Sequence, residues 1–136
     1  LLNGCSETEL SSRGLVSDPS AYYYISHGKN TTSDRSEYKA VNNALNALSF
    51  TSDDIKTIWN VIGGILHLGN ITFTIEDEKL IIGNRAALND AARLFNIDPS
   101  ELGRALSERV IAAGGEVMQK SHGLIEAEYG RDALAK

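Results

Sequence analysis

Cysteine is nearly absent from this chain, and its shortage bears on where the protein folds. Cys5 is the single cysteine among 136 residues, so no internal disulfide can form and no disulfide partner is expected. Nothing in the sequence then requires an oxidising compartment, which favours the cytoplasm. At this length the chain can instead bury a hydrophobic core of its own.

An excess of positive charge and long apolar runs are also absent from the sequence. Lysine and arginine number 13 against 18 aspartates and glutamates, which gives a net charge of −5. Nucleic acids and anionic membranes bind basic surfaces, so this charge argues against both kinds of partner. No apolar run reaches the roughly 18 residues of a membrane span.

Both ends of the chain lack the usual start and stop features. The chain begins LLNGC, without an initiating methionine or the basic leader of a signal peptide. It ends YGRDALAK, where strong helix formers are followed by neither glycine nor proline. We therefore expect the sequence to be a piece of a longer protein that stops inside a helix.

Helical patterns dominate the first half of the chain. Ser6 and Glu9 have the spacing of a capping box for a short first helix. Thr51 and Asp54 repeat that spacing before a longer helix, which we expect to be the most buried element because its apolar residues cover more than one face. A helix that begins near residue 34 should place four side chains on one face: Tyr38, Val41, Leu45 and Leu48.

Two local patterns in this half predict close packing. Gly63 and Gly64 would each cost roughly 1 kcal/mol against alanine inside a helix, so we expect another backbone to approach them closely. Tyr22–Tyr24 belong to a segment predicted to be extended, at the edge of a strand or of the core rather than as a ligand platform.

Two hairpins are predicted in the second half. Ile71, Phe73 and Ile75 alternate with polar residues, as in a half-buried strand, and the turn at 76–79 would return the chain as a second strand. Another pair of extended segments flanks Gly114–Gly115, which suits a two-residue turn.

Helices are predicted around these hairpins. They begin at Asn84, at Asp98–Pro99 and near Gly123. The last helix should present one set of residues to a packing surface: Leu124, Ala127, Gly130 or Arg131, and Leu134. The predicted fold class is therefore mostly α with short β-hairpins.

No catalytic, cofactor-binding or metal-binding residue is identified from the residues alone. The pair Gly28–Lys29 does not form a phosphate-binding loop, because Tyr23 stands where that loop needs glycine and Asn30 where it needs Ser or Thr. The three histidines lack the spacing of metal ligands, and His67 is expected to be packed or to cap its helix. Cys5 lies in a polar loop beside glutamates, so nothing there would depress the pKa of its thiol.

The order of the motifs resembles the myosin motor domain. The helix pair is followed by ILHLGNITF at Ile65–Phe73, a DPSEL helix start, a glycine-containing excursion and then GRDALAK. LHLGNITF and RDALAK are specific for that family, and the ending EAEYGRDALAK is most similar to class-I myosins. The resemblance covers residues 1–136 and places them in the helical upper 50-kDa subdomain of a P-loop motor.

The resemblance implies what the whole protein would do. It would be an actin-activated ATPase of the cytoplasmic actin cytoskeleton, with ATP and magnesium bound by segments outside this chain. Since the P-loop and both switch motifs are absent here, whether this piece alone is an enzyme is left open. Calmodulin-like light chains would bind only regions outside it.

One actin-contacting loop, at about residues 108–124, is implied to lie within the chain. The family has a position sixteen residues before the Asp of DALAK that must be acidic or be phosphorylated. Counted from Asp132, that position is Glu116, whose charge is permanent, so the resemblance implies a motor that is not gated by phosphorylation there. The actin-binding residues implied by the loop are Ala113, Gly114, Gly115, Glu116, Val117, Met118 and Lys120.

Two other hypotheses explain the missing catalytic motifs. The chain could be a stand-alone, mostly helical protein-interaction domain with no role in ATP hydrolysis. A weaker alternative is a small enzyme that uses the acidic clusters Asp53–Asp54 and Glu76–Glu78, although a helix start and a hairpin turn account for both clusters.

Overall fold

The chain folds into six α-helices and two hairpins in a computed structural model that describes residues 1–28, 34–113, 116–121 and 123–136. The hairpins are separate two-stranded antiparallel sheets, and a short 3-10 helix covers Pro19–Ala21. The predicted class, mostly α with short β-hairpins, is confirmed. The helices are α1 Glu7–Ser12, α2 Asp34–Ala47, α3 Ser52–Gly69, α4 Arg85–Phe95, α5 Pro99–Ser107 and α6 Leu124–Ala135; the strands are β1 Thr72–Glu76, β2 Lys79–Gly83, β3 Glu108–Ala113 and β4 Glu116–Ser121.

Side-chain caps start the helices where the sequence predicts them. Ser6 and Glu9 form the capping box of α1, and Thr51 and Asp54 form that of α3. In α3 the Asp54 amide donates to Thr51 Oγ1 at 3.1 Å, and the Thr51 amide donates to Asp54 Oδ2 at 2.9 Å. Asp98 accepts from the Ser100 amide at 2.7 Å ahead of α5. Each such cap stabilises its helix by about 1 kcal/mol.

Helix α3 has more buried residues than any other described helix, but α4 buries a larger share, five of 11 against seven of 18. The prediction that α3 is the most buried element therefore holds in number only. The buried residues of α3 lie from its middle onward: Trp59, Gly63, Gly64, Leu66, His67, Leu68 and Gly69. Even the second half of α3 is not buried on all sides, since Val61 and Ile62 remain exposed. None of the helices in the described part of the chain combines the length and the apolar character needed to cross a bilayer.

Side chains, and not another backbone, approach the two glycines of α3. A Cβ atom on Gly64 would lie 2.5 Å from Cε1 of Phe95, and one on Gly63 would lie 3.3 Å from Leu15 and Leu94. The prediction of a close backbone is therefore wrong in its detail. The missing side chain at Gly64 instead admits the ring of Phe95, and so lets α4 pack tightly on α3.

Two clusters form the core. The larger one joins the β1–β2 hairpin to helices α4, α5 and α6. The smaller one is formed mainly by side chains of the first 22 residues. Cys5 is buried in the smaller cluster instead of lying in a polar loop, and burial raises the pKa of its thiol. The pKa of the thiol is thus not depressed, as predicted, but the reason is burial and not a polar loop. The larger cluster contains Leu68, Ile71, Phe73, Leu80, Ile82, Ala87, Leu88, Ala91, Ala92, Leu102, Leu106 and Ala127.

Helix α2 is less buried than its pattern predicts. None of its residues is buried, and Val41 and Leu48 are 43% and 71% exposed. The helix contacts α3 by a narrow stripe in which Tyr38 lies with its ring centroid 4.7 Å from that of Trp59. One turn further on, Asn42 accepts a hydrogen bond from the Trp59 indole at 2.8 Å. Positions four residues apart share a face, so this stripe leaves Val41 and Leu48 outside it.

The aromatic segment is folded into turns and is not extended as predicted. Tyr22 is 3% exposed, and its hydroxyl accepts a hydrogen bond from the Val16 amide at 2.9 Å. The Ile25 amide donates to the Tyr22 carbonyl at 3.1 Å, which closes a turn. Long-range contacts therefore override the strand preference of three tyrosines.

The β1–β2 hairpin confirms the predicted strand, turn and return. Thr72 pairs with Gly83 and Glu76 with Lys79, and both turn residues, Asp77 and Glu78, have positive φ as a type I′ turn requires. Phe73 faces the core, but Ile75 is 49% exposed. The burial expected of Ile75 is wrong, although its cross-strand partner Leu80 lies in the core.

Replacing Gly64 by alanine should destabilise the protein by about 1–3 kcal/mol, because the new methyl group would overlap the Phe95 ring. The matched control is Gly130→Ala in α6, where a Cβ would have no neighbour within 4 Å. That change should instead stabilise by up to about 1 kcal/mol. Thermal or denaturant unfolding measures both. Equal effects at the two positions would contradict the packing described.

Candidate functional site

The predicted hairpin at 108–121 is present. Strands β3 and β4 pair antiparallel in continuous register, from Glu108 opposite Ser121 to Ala113 opposite Glu116. Strands of six residues extend about 17 Å from the first residue to the last, so Glu116 lies that far along β4 from Ser121. The described backbone thus places Glu116 directly after the connection between the strands.

Five of the seven predicted actin-binding residues lie in these strands. Ala113 ends β3, and Glu116, Val117, Met118 and Lys120 belong to β4. Gly114 and Gly115, the other two, lie outside the described residues, as does His122. The register brings Val117 opposite Ala112, Met118 opposite Ile111 and Lys120 opposite Arg109. Contact between these residues and a partner stays a prediction.

Helices fix both strands of this hairpin at its base. The Glu108 amide, at the C-terminal cap of α5, donates to the Arg104 carbonyl. Gly123 caps α6, and its amide donates to Glu126 Oε2 at 3.3 Å. One turn into α6, Ala127 is fully buried in the larger core cluster. The position of the hairpin is therefore set by how α5 and α6 pack on the body.

His67 is packed, as predicted. Its Nε2 lies 2.8 Å from the carbonyl oxygen of Arg13, and its ring makes an edge contact with Tyr22. In the part of the chain that the structure describes, no group of three histidine, cysteine or acidic side chains could hold a metal ion. Asp54 caps a helix and residues 76–79 form a turn, as expected of the acidic clusters.

A buried arginine joins the two motifs that carry the resemblance. Arg131 of RDALAK is 7% exposed, and its Nη1 donates to the carbonyl of Ile71 in HLGNITF at 2.9 Å. The guanidinium carbon lies 5.4 Å from the ring centroid of Tyr23 and 5.9 Å from those of Tyr24 and Phe73. Cation–π attraction of this kind is strongest where water is excluded. The charge is therefore accommodated by three rings and a carbonyl.

A tyrosine and a carboxylate complete this cluster. Asp132 Oδ1 accepts from Arg131 Nε at 2.9 Å and from the Tyr24 hydroxyl at 2.7 Å. Burial, reinforced by the hydrogen bond to Asp132, raises the pKa of Tyr24 to about 12. Burial alone would raise the pKa of Asp132, but the hydrogen bonds from Arg131 and Tyr24 outweigh it and lower that pKa. The cluster thus holds a cation, an anion and a neutral phenol.

The junction Gly69–Ile71, where α3 gives way to β1, anchors this cluster and its neighbours. A Cβ on Gly69 would lie 2.5 Å from the Tyr24 ring, so glycine makes room for that ring. Asn70 accepts from the Tyr23 amide at 2.9 Å and donates to the Ala21 carbonyl at 2.8 Å. Three successive residues of one motif therefore hold the aromatic segment and α6.

Sequence reasoning missed the Arg131 cluster. It offered Gly130 or Arg131 as the packing residue of α6, and Arg131 is the one that is buried. It also placed Leu124 and Leu134 on that surface, but they are 38% and 55% exposed. The alternation of apolar and polar residues could not have shown this, because a guanidinium replaces the expected apolar contact.

Comparison with known proteins gives matches over the whole chain. Residues 1–136 match the family model described as myosin head (motor domain). The chain is 46% identical over 138 residues to unconventional myosin ID of Drosophila melanogaster, 34% over 139 to unconventional myosin-Id of Homo sapiens, and 35% over 141 to unconventional myosin-Ic of Rattus norvegicus. Each match covers 100% of this chain and 14% of the relative, so the chain spans about one seventh of their length.

Because the folded protein holds Tyr24 as a neutral phenol, stability should depend on pH in the alkaline range. The contribution is fully present below the unfolded pKa of about 10 and is lost as pH rises through the folded pKa of about 12. The variant Tyr24→Phe should lose less stability over that interval than the parent. Unfolding measured against pH tests this, with Tyr129→Phe at an exposed site as the control. The same pH dependence in Tyr24→Phe and the parent would count against the assignment.

Proposed function

Because the chain belongs to the myosin head (motor domain) family, as its resemblance predicts, we propose that it is part of the upper 50-kDa subdomain of a class-I, actin-based, ATP-driven motor. Its role would be to carry part of the actin interface and one wall of the actin-binding cleft. The relatives named above are all unconventional myosins, and this chain corresponds to 14% of each. The activity of the whole protein is accordingly part of the proposal.

The observation that carries the proposal is the position of Glu116 in the hairpin. The site that must be charged in this family, sixteen residues before Asp132, falls on the first residue of β4, opposite the last residue of β3. A residue beside the connection of a two-stranded hairpin can reach a partner before the body of the protein does. The strand register supports the proposal, because the residue that the motif count selects pairs with Ala113 next to the connection.

The chemistry of this end of the hairpin suits a filament with exposed charges. A carboxylate at Glu116 supplies a negative charge that does not depend on a kinase. Rim charges mainly steer association and set its salt dependence, with a modest effect on affinity. Val117 and Met118, which follow it in β4, provide apolar contact area.

The remaining elements act as the rigid support of this interface. The α3–α4 packing and the larger core cluster give a body that could move as a unit when the cleft closes. This closure would couple filament binding to product release. Calmodulin-like light chains would bind elsewhere on the polypeptide, and the expected location is the cytoplasmic actin cytoskeleton.

ATP and magnesium do not fit the residues of this chain. The sole Gly-Lys pair, Gly28–Lys29, lacks the flanking residues of a phosphate loop, and the described residues include no metal-binding group. Nucleotide binding would therefore belong to other parts of the motor. A stand-alone interaction domain would lack those parts, and no observation on the structure favours it.

Replacing Glu116 by alanine in the intact motor should weaken activation by actin while basal ATPase turnover stays unchanged. One charge at the rim of an interface is worth up to about 1 kcal/mol, so the actin concentration for half-maximal activation should rise about twofold to fivefold. The matched control is Glu128→Ala, which removes an exposed glutamate from α6. Steady-state ATPase assays at low and high salt measure the effect, and the difference should shrink with salt. Equal actin activation in Glu116→Ala and the parent would refute the proposal.

Replacing Glu116 by threonine should convert a permanent charge into a conditional one. The unphosphorylated variant should resemble Glu116→Ala, and phosphorylation should restore activation because it adds a charge of about −1.5 to −2. Phosphatase treatment of the parent should leave its actin activation unchanged. Full activation of unphosphorylated Glu116→Thr would show that charge at this position is not required.

A further inference from the structure

The orientation of the β3–β4 hairpin depends on α6. Strand β4 ends at Ser121 and α6 begins at Leu124, so the second strand leads almost directly into the helix. Any tilt or rotation of α6 would therefore move β4 and, through the register, β3 with it. What holds α6 in place therefore holds the β4 side of the hairpin, while α5 holds the β3 side.

Helix α6 contacts α3, β1 and α5, but few of its own side chains are buried. Ala127 and Arg131 are its buried residues, one helical turn apart. Ala127 contributes a single methyl group, whereas Ile125 and Tyr129 are 81% and 75% exposed. Among the described residues of the helix, Arg131 thus has the largest buried side chain.

The contacts of Arg131 are directional. Nη1 donates to Ile71 O and Nε to Asp132 Oδ1, both at 2.9 Å, and Asp132 in turn accepts from Tyr24. A planar guanidinium can make both bonds at once from a fixed fork, which an ammonium group cannot do with the same geometry. The bond from Arg131 to Ile71 and the bond from Tyr24 to Asp132 tie α6 to two other segments and so fix its rotation about its axis. The Arg131–Asp132 bond lies within α6 and orients both side chains.

We propose that Arg131 is a positioning residue for the β3–β4 hairpin, acting through its bond to Ile71, and through Asp132, which it orients toward Tyr24, to hold α6, and with it Glu116, in the orientation that a filament recognises. This inference rests on the proposed function for its last step, the recognition of actin. Its structural step, that Arg131 restrains the hairpin, does not depend on actin. About seven residues of helix, or roughly 10 Å, separate Arg131 from the start of α6.

Two variants of the intact motor separate the positioning role from general stability. Arg131→Lys keeps the charge but loses the fork, and Tyr24→Phe removes only the hydrogen bond to Asp132. The controls are Arg35→Lys, at an exposed arginine on α2, and Tyr23→Phe, which keeps the ring over Arg131 at a position that is 57% exposed. Unchanged basal ATPase turnover shows that each variant is folded.

Amide hydrogen exchange without actin tests the structural step. In Arg131→Lys, exchange of the strand segments Glu108–Ala113 and Glu116–Ser121 should be about fivefold faster, the ratio that one lost hydrogen bond of ordinary strength produces. Tyr24→Phe should show a smaller increase, and the two controls none. Exchange in α4 should not change. An unchanged hairpin, or an equal increase in α4, would overturn the inference.

Actin-activated ATPase assays of the same variants test the last step. In Arg131→Lys the actin concentration for half-maximal activation should rise about threefold to fivefold, with little change in the maximal rate, because the interface is misplaced rather than removed. A parallel assay of Glu116→Ala keeps the two proposals apart. If Glu116→Ala leaves activation unchanged, the proposed function fails, and the exchange measurement still decides whether Arg131 restrains the hairpin.

Discussion

Satisfying the backbone between α3 and β1 is the constraint on which the rest of this structure depends. Within Gly69–Ile71 the chain changes from helix to strand in a buried place, and its polar groups need partners there. The Ile71 carbonyl accepts a hydrogen bond from the Arg131 guanidinium. The side chain of Asn70 forms hydrogen bonds with backbone groups of residues 21–23. An unpaired buried carbonyl would cost about 1–3 kcal/mol. Partners drawn from both ends of the sequence thereby converge on one junction.

The same junction explains how a small segment organises distant elements. Gly69 admits the Tyr24 ring, Tyr24 bonds Asp132, and Asp132 bonds Arg131, so the contacts form a closed set. Each member limits the freedom of the next, which is why a buried charge can be tolerated at all. These contacts hold α6 in position, and α6 in turn helps to hold the hairpin.

Features that depend on residues three or four apart were predictable from the sequence. The capping boxes at Ser6 and Thr51, the turn at 76–79 and the hairpin around the connection between β3 and β4 all belong to this class. Features that depend on distant partners were not. The burial of Cys5, the exposure of Leu48 and the turns at the tyrosines follow from which surfaces meet, and a single sequence does not contain that information in its spacing.

The candidate site also has one part that depends on local sequence and one part that depends on distant contacts. A motif count and a Gly-Gly pair are enough to place Glu116 beside the connection of a hairpin, since both are local in sequence. The support of that hairpin is not local, because Arg131 and Ile71 stand sixty residues apart. Helical periodicity offers Gly130 or Arg131 for the packing surface, but it cannot identify the distant carbonyl and rings that allow an arginine to be buried there.

The packing of α2 on α3 has a practical consequence. Trp59 is the single tryptophan of the chain, and its indole bonds Asn42 of α2 while its ring lies against Tyr38. Separation of the two helices would expose that indole to water and remove a ring contact together. The fluorescence of Trp59 would therefore report whether α2 is packed on α3.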